Sequence, residues 1–351
     1  MSDRKLATIR RIDKLEPIPG ADKILKATVG GWQLVTAKAN GFAEGELIIY
    51  LEVDSWVPTE IAPFLSKGQE PREFNGVKGE RLKTIKLRGT VSQGLIIPVW
   101  TGARLIAAGV NTTLGEIEGL NVTEALGIQK WERPMSAQLA GMARGNFPSF
   151  IFKTDQERIQ NLSPELEQYK AGGLTFEKTE KMEGSSMTVY FREVEETRTF
   201  GVCSRNLDLK ETAGNSFWSV ARKLQLEEKL AMWGRNIALQ GELIGPGVQN
   251  NIYGLTEHQF RLFDVFDIDT QTCFTPAARR QLAQEIGVLH SPVLSESISL
   301  TDETMASILA DAEGKSQLAA TEREGVVYKC NENPSISFKA ISNSYLLRHG
   351  D

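Results

Sequence analysis

The first hundred residues or so are built from runs of aliphatic and β-branched residues broken by turn formers. "KLATIRRI", "ILKATVGGWQLVTA", "ELIIYLEV" and "LKTIKLRG" followed by "GLIIPV" are separated by "PIPGADK", "KANGFAEG" and a polar stretch from Ser66 to Glu80. Short strands at this spacing are expected to close into a small barrel. From Thr101 to Phe147 the pattern weakens, with one helix-like piece at "VTEALGIQKW". The expected division is therefore a barrel over residues 1–100, a linker with a short helix over 101–149, and a second domain over 150–351.

The second domain mixes its elements. "SPELEQY" and "TPAARRQLAQEIG" begin with Ser163-Pro164 and Thr275-Pro276, a cap followed by a proline at the first helical position. "NSFWSVARKLQLEEKLAMW" places Phe217, Val220, Ala221 and Leu224 on one helical face, with Asn215 or Ser216 as cap. Between them lie the strand-like runs "MTVYF", "TRTFGVC", "NIALQGELIG", "FRLFDVFDI", "GVVYKC" and "SISFKAI". Strands that do not alternate regularly with helices imply an α+β domain around antiparallel sheets.

Composition removes several functions. The chain has 351 residues, 41% of them hydrophobic and 24% charged, and no apolar stretch long enough to span a bilayer. The start "MSDRKLATIRR" lacks the apolar core of a signal peptide, so a cytoplasmic protein without membrane partners is expected. Three widely spaced cysteines and three histidines suit neither a disulfide framework nor a zinc site. A net charge of −5 argues against generic binding to nucleic acid but permits a local basic face. One such face is visible: Lys78, Arg81, Lys83, Lys86 and Arg88 lie within eleven residues that hold a single acid, Glu80.

The chemistry is concentrated in an ordered set of short motifs. "EKTEKMEGSSMTVYF" (Glu177–Phe191) contains Lys181-Met-Glu183-Gly184, and after it come Ser204-Arg205-Asn206, Gly241-Glu242-Leu243, the aromatic run from Phe263 to Ile268, Glu324-Gly-Val-Val327 and Ser337-Phe-Lys339-Ala-Ile341. In order and spacing these resemble the motifs of the covalent nucleotidyltransferases, a superfamily of ATP-dependent RNA and DNA ligases and RNA capping enzymes. "KTDQERIQN" from Lys153, "GSSMTVYF", "LIGPGVQNNIYG", "FKAISNSYLL" and, in the first domain, "LRGTVSQGLIIP" resemble the nick-sealing RNA ligases with an N-terminal OB domain. The sequence ends twelve residues past Lys339, where capping enzymes and DNA ligases place a further OB domain.

The resemblance implies an OB-like β-barrel followed by a nucleotidyltransferase domain, and a chemistry to match. Lys181 would attack the α-phosphate of ATP and carry AMP, since lysine becomes nucleophilic near neutral pH when cations or desolvation favour its free amine. Glu180 and Glu183 would contact the nucleotide or orient the loop, with Ser185 and Ser186 keeping the approach narrow. Glu242 and Glu324 would hold Mg²⁺ or Mn²⁺, partly through waters; Asn215 would join them, or simply cap its helix. Lys339, with Lys329 nearby, would neutralise the α-phosphate. Relatives often carry two lysines two apart in this motif, whereas here Ser337 and Ile341 flank Lys339. Arg158 is a candidate for pyrophosphate or the RNA 5′-phosphate, and Arg205 for the broken end. Phe266 or Phe263 would stack on adenine, with Phe266 favoured.

The expected enzyme is an ATP-dependent RNA ligase, acting as a monomer on RNA 3′-OH and 5′-phosphate ends, with a nicked duplex as substrate. Arg81, Lys83, Lys86 and Arg88 would grip the RNA backbone. The alternatives are a capping-type guanylyltransferase and a noncatalytic OB-type RNA-binding protein.

Overall fold

The computed structural model describes residues 4–99, 117–132 and 141–349. The chain divides into two compact units, one running to Pro134 and taking in the segment from Leu346, the other from Met135 to Tyr345.

The first unit contains β1 (Ala7–Arg11), β2 (Lys14–Ile18), β3 (Ala21–Val29), β4 (Trp32–Ala37), β5 (Leu47–Leu51), β6 (Ser55–Pro58), β7 (Arg72–Phe74), β8 (Val77–Arg81), β9 (Ile85–Leu87), β10 (Thr90–Ser92), β11 (Leu95–Pro98) and β12 (Gln129–Lys130). They pair as β1-β5-β11, β2-β3-β4 and β12-β6-β8-β7, with β9 and β10 forming a separate hairpin. The unbroken apolar run of β5 is explained by burial on both faces. Ile48 and Tyr50 pack with Trp32 and Leu34, while Ile49 and Leu51 pack with Ile9 and Ile97.

Residues 117–132 differ from the expected linker. Ile117, Val122, Leu126 and Ile128 are buried in the core of the first unit, and β12 pairs with β6. The helix expected in "VTEALGIQKW" is a set of turns: Gly127 takes a φ of 66°, the left-handed region, and the chain then enters β12. The rest of the expected linker before residue 141 lies outside the described residues.

The second unit contains β13 (Ala143–Asn146), β14 (Glu157–Arg158), β15 (Thr175–Lys181), β16 (Ser185–Val194), β17 (Thr197–Cys203), β18 (Leu207–Leu209), β19 (Ile237–Ile244), β20 (Gln259–Asp267), β21 (Thr272–Cys273), β22 (Val293–Ser299), β23 (Gly325–Cys330) and β24 (Ser337–Ile341). One sheet has seven strands, β13-β18-β17-β16-β19-β20-β21, and the other five, β14-β24-β23-β15-β22. All neighbours are antiparallel except β14 and β24. The first strand of this unit precedes residue 150 because β13 pairs with β18.

Each sheet packs one face into its own apolar core, and the opposite face carries the polar residues of the site, beside a smaller cluster of Tyr190, Ala238 and Phe266 on the seven-stranded sheet. In the seven-stranded sheet, Leu239 and Leu243 pack with Phe217, Val220 and Leu282 from the flanking helices Ser216–Lys223 and Pro276–Glu285. In the five-stranded sheet, Phe176, Val326, Tyr328, Phe338 and Ala340 form the core. By strand alternation the opposite faces carry Gln240 and Glu242 on one sheet, and Glu177, Lys181, Lys329 and Lys339 on the other. The tryptophan-containing helix is broken in two, Ser216–Lys223 and Leu226–Trp233, at Gln225 with a φ of 53°. Thr275 caps Pro276–Glu285 as its sequence predicts, accepting from the Ala278 N–H.

Candidate active site

Lys181 is the last residue of β15, where the chain leaves the five-stranded sheet for β16 of the seven-stranded one. Its register partner on β23 is Gly325. A side chain there would collide with the Ala340 carbonyl oxygen at 2.2 Å, so glycine is what lets β24 lie close. Glu324 immediately precedes it, and the Lys181 Nζ donates to Glu324 Oε1 at 2.6 Å.

Glu242 arrives from the other sheet. The turn glycine Gly184 meets β19 so tightly that an added Cβ would lie 2.4 Å from the Leu243 carbonyl oxygen and 2.8 Å from the Glu242 side chain. Gly241 likewise leaves no room, with the Phe260 ring 2.4 Å from its would-be Cβ. Burial pushes the Glu242 carboxyl up to about 8; Lys181 pulls the other way, Glu324 adds to the rise, and Arg205 and Glu183 act more weakly. Lys181, Glu242, Glu324, Glu183 and Arg205 therefore share one electrostatic neighbourhood.

Three further cations are expected at this group: Arg158, Lys339 and Lys329. Arg158 on β14 is the register partner of Lys339 on β24. Asp155 ties Lys339 to Arg205, accepting from Lys339 Nζ at 3.3 Å and from Arg205 at 3.1 Å. Lys329 sits beside Ser337 in register. Its amine, however, is buried in an ion pair with Asp264 of β20, so Lys329 is a tie between the two sheets rather than a cation presented to phosphate.

Glu180 is almost fully buried. One carboxylate oxygen accepts from the Gln317 N–H at 2.8 Å, and the other is buried without a protein donor. A buried acceptor of this kind is met by water, an ion or a ligand donor.

Two further expected roles are corrected. Asn215 caps Ser216–Lys223, its Oδ1 accepting from the Phe217 and Trp218 N–H groups and its amide donating to the Lys210 carbonyl, so its polar atoms serve the helix and not a metal. Phe266 is 3% exposed, packed with Ile151, Tyr190, Ala238 and Ile268. A β-bulge between Gln240 and Gly241 shifts the register along β20, leaving Phe263 as the extra residue. Phe263 is half-buried and belongs to none of the unit's hydrophobic clusters.

The basic cluster of the first unit also divides. Arg81 pairs with Asp54 at 2.8 Å and stacks over the Trp131 ring at 3.8 Å, and Lys78 donates to Glu70 at 2.6 Å. Lys83 is half-buried. Lys86 and Arg88 are exposed on the β9–β10 hairpin, whose tip turns through Arg88 and Gly89 with φ of 48° and 83°.

Sequence reasoning gave no role to Asp155, Asn250 or Tyr253. All three lie in stretches whose resemblance was recognised, "KTDQERIQN" and "LIGPGVQNNIYG", but nothing in their spacing shows which side chain turns inward.

A lysine held against a carboxylate where the chain passes from one sheet to the other, behind a strand-rich first unit, is the arrangement expected of enzymes that join nucleic-acid ends. Comparison narrows it. A family model for RNA ligase matches residues 174–341, and one for an OB-fold domain matches residues 6–99. Comparison with curated proteins gave no match. Among solved structures, an aspartate-to-alanine variant of Naegleria gruberi RNA ligase without ligand is 43% identical over 100% of both chains, with a TM-score of 0.89. A lysine-to-alanine variant of that ligase with ATP and Mn is 42% identical over 99% of each chain, with a TM-score of 0.88. The same ligase with PPi is 43% identical over 99% of each chain, also at 0.88. The chain belongs to the RNA ligase family.

Proposed function

We propose that Lys181 is the nucleophile of an ATP-dependent RNA ligase that seals RNA 3′-OH and 5′-phosphate ends. The observation that carries this is the Lys181 amine held 2.6 Å from Glu324, one residue from the orphaned carboxylate oxygen of Glu180. Similarity to a ligase whose solved structures hold ATP and Mn, in a lysine-to-alanine variant, and PPi supports it.

The reaction has three steps. Lys181 gives up a proton to solvent, and its free amine attacks the α-phosphorus of ATP, forming the N–P bond as pyrophosphate leaves. The RNA 5′-phosphate then displaces lysine and takes AMP. Finally the RNA 3′-OH attacks that 5′-phosphate, the phosphodiester forms, and AMP departs. Glu180 Oε1 accepts from the exocyclic amine of adenine, a donor that guanine lacks at that position. Phe263 is the aromatic available to the base. Lys339 and Arg205, joined through Asp155, and Arg158, the register partner of Lys339, neutralise phosphate charge.

Glu242 and Glu324 fit a divalent ion. Among the described residues no group of three or more His, Cys, Asp or Glu converges as a metal cage. Two carboxylates with water and phosphate oxygens are the set that Mg²⁺ or Mn²⁺ takes beside a nucleotide. When bound, the ion would supply charge stabilisation at the phosphoryl oxygens.

The substrate we favour is a nicked duplex gripped through Lys86 and Arg88, with Lys83 beside them. One chain supplies every residue assigned, so we take the enzyme to act as a monomer. Among the described residues the cysteines form no disulfide and no helix is long and apolar enough to cross a membrane, which suits the cytoplasm. The test is incubation with α-labelled ATP and Mg²⁺. Label should remain on the wild-type protein, be absent from Lys181→Ala, and not be acquired from GTP. Labelling by GTP would favour a capping-type enzyme, and no labelling a binding protein.

A further inference from the structure

The turn after Lys181 is held by a loop to which no role has been given. Gly245 to Gly254, "GPGVQNNIYG", follows β19 directly. Five of its ten residues have left-handed φ: Gly245 (134°), Gly247 (71°), Gln249 (45°), Asn251 (44°) and Gly254 (63°). Two of these are not glycine, and such backbone persists only where its surroundings fix it. Every residue of the turn is engaged. The Glu183 N–H donates to the Tyr253 hydroxyl at 2.7 Å, and Glu183 Oε1 accepts from Asn250 Nδ2 at 3.0 Å and from its N–H at 3.4 Å. Met182 packs with Tyr253 and Ile244, with Ile252 and Leu255 alongside. Gly184 lies against Leu243 and Ile244, the residues that lead into the loop.

We propose that Asn250 and Tyr253 are positioning residues that fix the direction of the Lys181 amine through the Met182–Gly184 turn. They touch neither nucleotide nor RNA. Glu183 is thereby the anchor of the nucleophile's turn: its carboxylate is bound from the loop side and kept from competing with Glu324 for the lysine. Strain held in the loop is offset by these contacts, so that the lysine arrives preorganised rather than swinging on a free turn. The inference rests on the reading of Lys181 as the adenylylated residue.

Tyr253→Phe removes the acceptor for the Glu183 N–H and keeps the ring. Its charging with AMP should show kcat lowered about tenfold or more with KM for ATP within about twofold, because a misdirected amine affects attack and not nucleotide binding. Asn250→Asp supplies a second variant with a readout that simple loss of packing would not give. The new carboxylate would face Glu183 where an amide donated, with the Tyr253 and Tyr345 hydroxyls and Glu242 as the other ionisable groups near Glu183. At neutral pH the two carboxylates repel; at lower pH one proton is shared and the bridge returns. The charging rate of Asn250→Asp relative to wild type should therefore rise as pH falls, with Asn250→Ala showing no such recovery. If wild type charges normally while Tyr253→Phe keeps its kcat, or if Asn250→Asp and Asn250→Ala follow the same pH profile, the positioning role is wrong. Failure of wild type itself to charge would instead remove the reading of Lys181.

Discussion

Some cations of this chain are locked against carboxylates and others are left open to solvent, and a group from each unit shows the contrast. In the second, Lys181 and Lys329 on a sheet face are matched to Glu324 and Asp264, and Arg279 and Arg280 on the flanking helix to Glu177. In the first, Lys86 and Arg88 stand exposed on a hairpin. A buried cation is useful only where its geometry is fixed, which is what transfer of a nucleotide demands; an exposed one acts at a distance and through counterion release. Arg81, locked between Asp54 and Trp131, follows the rule of the second unit while lying in the first.

The largest effect expected comes from Lys181→Ala, which should lose covalent AMP altogether while unfolding at nearly the wild-type temperature. Normal labelling of that variant would end the comparison. Glu242→Ala and Glu324→Ala should each slow charging by about two orders of magnitude or more, since charge stabilisation by a metal is worth several kcal/mol at the transition state. Full rescue of both by excess Mg²⁺ would show that neither carboxylate does more than raise metal affinity.

A sharper contrast lies between two lysines of the same sheet. Lys329→Ala strands Asp264 in a buried site and should destabilise the unit by roughly 3–5 kcal/mol, read as a lower midpoint in denaturant. Lys339→Ala should leave that midpoint within about 1 kcal/mol, because its partner Asp155 is 44% exposed, and should instead block charging. Equal stability losses would mean that both lysines are structural.

Much of this was legible in the sequence, for identifiable reasons. Strand runs and some caps depend on local residues, so β16, β17, β19, β20, β23, β24 and the Thr275 cap fall where the pattern puts them, whereas Ser163 is the first helical residue behind Leu162 and makes no cap hydrogen bond. The motif glycines and carboxylates were found because their order is fixed by the two sheets they join. Failures occurred where long-range packing decides. Alternation alone could not reveal the bulge at Gln240 and Gly241, which leaves Phe266 in the core and Phe263 partly exposed. Asn215 carries the same side chain whether it caps or ligates, and only the helix behind it settles the matter. Residues 117–132 resembled a linker because their four buried apolar residues serve a core made by other strands.

On the hairpin, replacing Lys86 and Arg88 together by alanine should leave AMP charging unchanged and reduce sealing of a nicked RNA. The plot of log affinity against log salt should become shallower by about 1.4 to 1.8, since each phosphate contact contributes roughly 0.7 to 0.9. An unchanged slope would make the hairpin an ordinary solvated turn. Loss of charging would show that the first unit supports the second unit's fold.

The smallest effect concerns stability alone and tests how far buried charge reaches. His290 accepts from Arg279 Nε at 2.9 Å, and its Nδ1 donates to the Ser291 carbonyl at 2.6 Å, so the ring is neutral. Burial, reinforced by the adjacent Arg279 and more weakly by Arg280, pushes its pKa down to about 3, from an ordinary value of 6.5. Between those values the unfolded chain binds a proton that the folded chain refuses. Stability conferred by the neutral ring is therefore full above pH 6.5 and lost as pH falls, by about 1.4 kcal/mol per unit within that window. His290→Gln keeps an acceptor for Arg279 without the titration. Its unfolding free energy should start somewhat lower at pH 7 and fall less steeply than wild type towards pH 4.5. Parallel curves would mean that acid sensitivity comes from the carboxylates of the paired cations and not from this histidine.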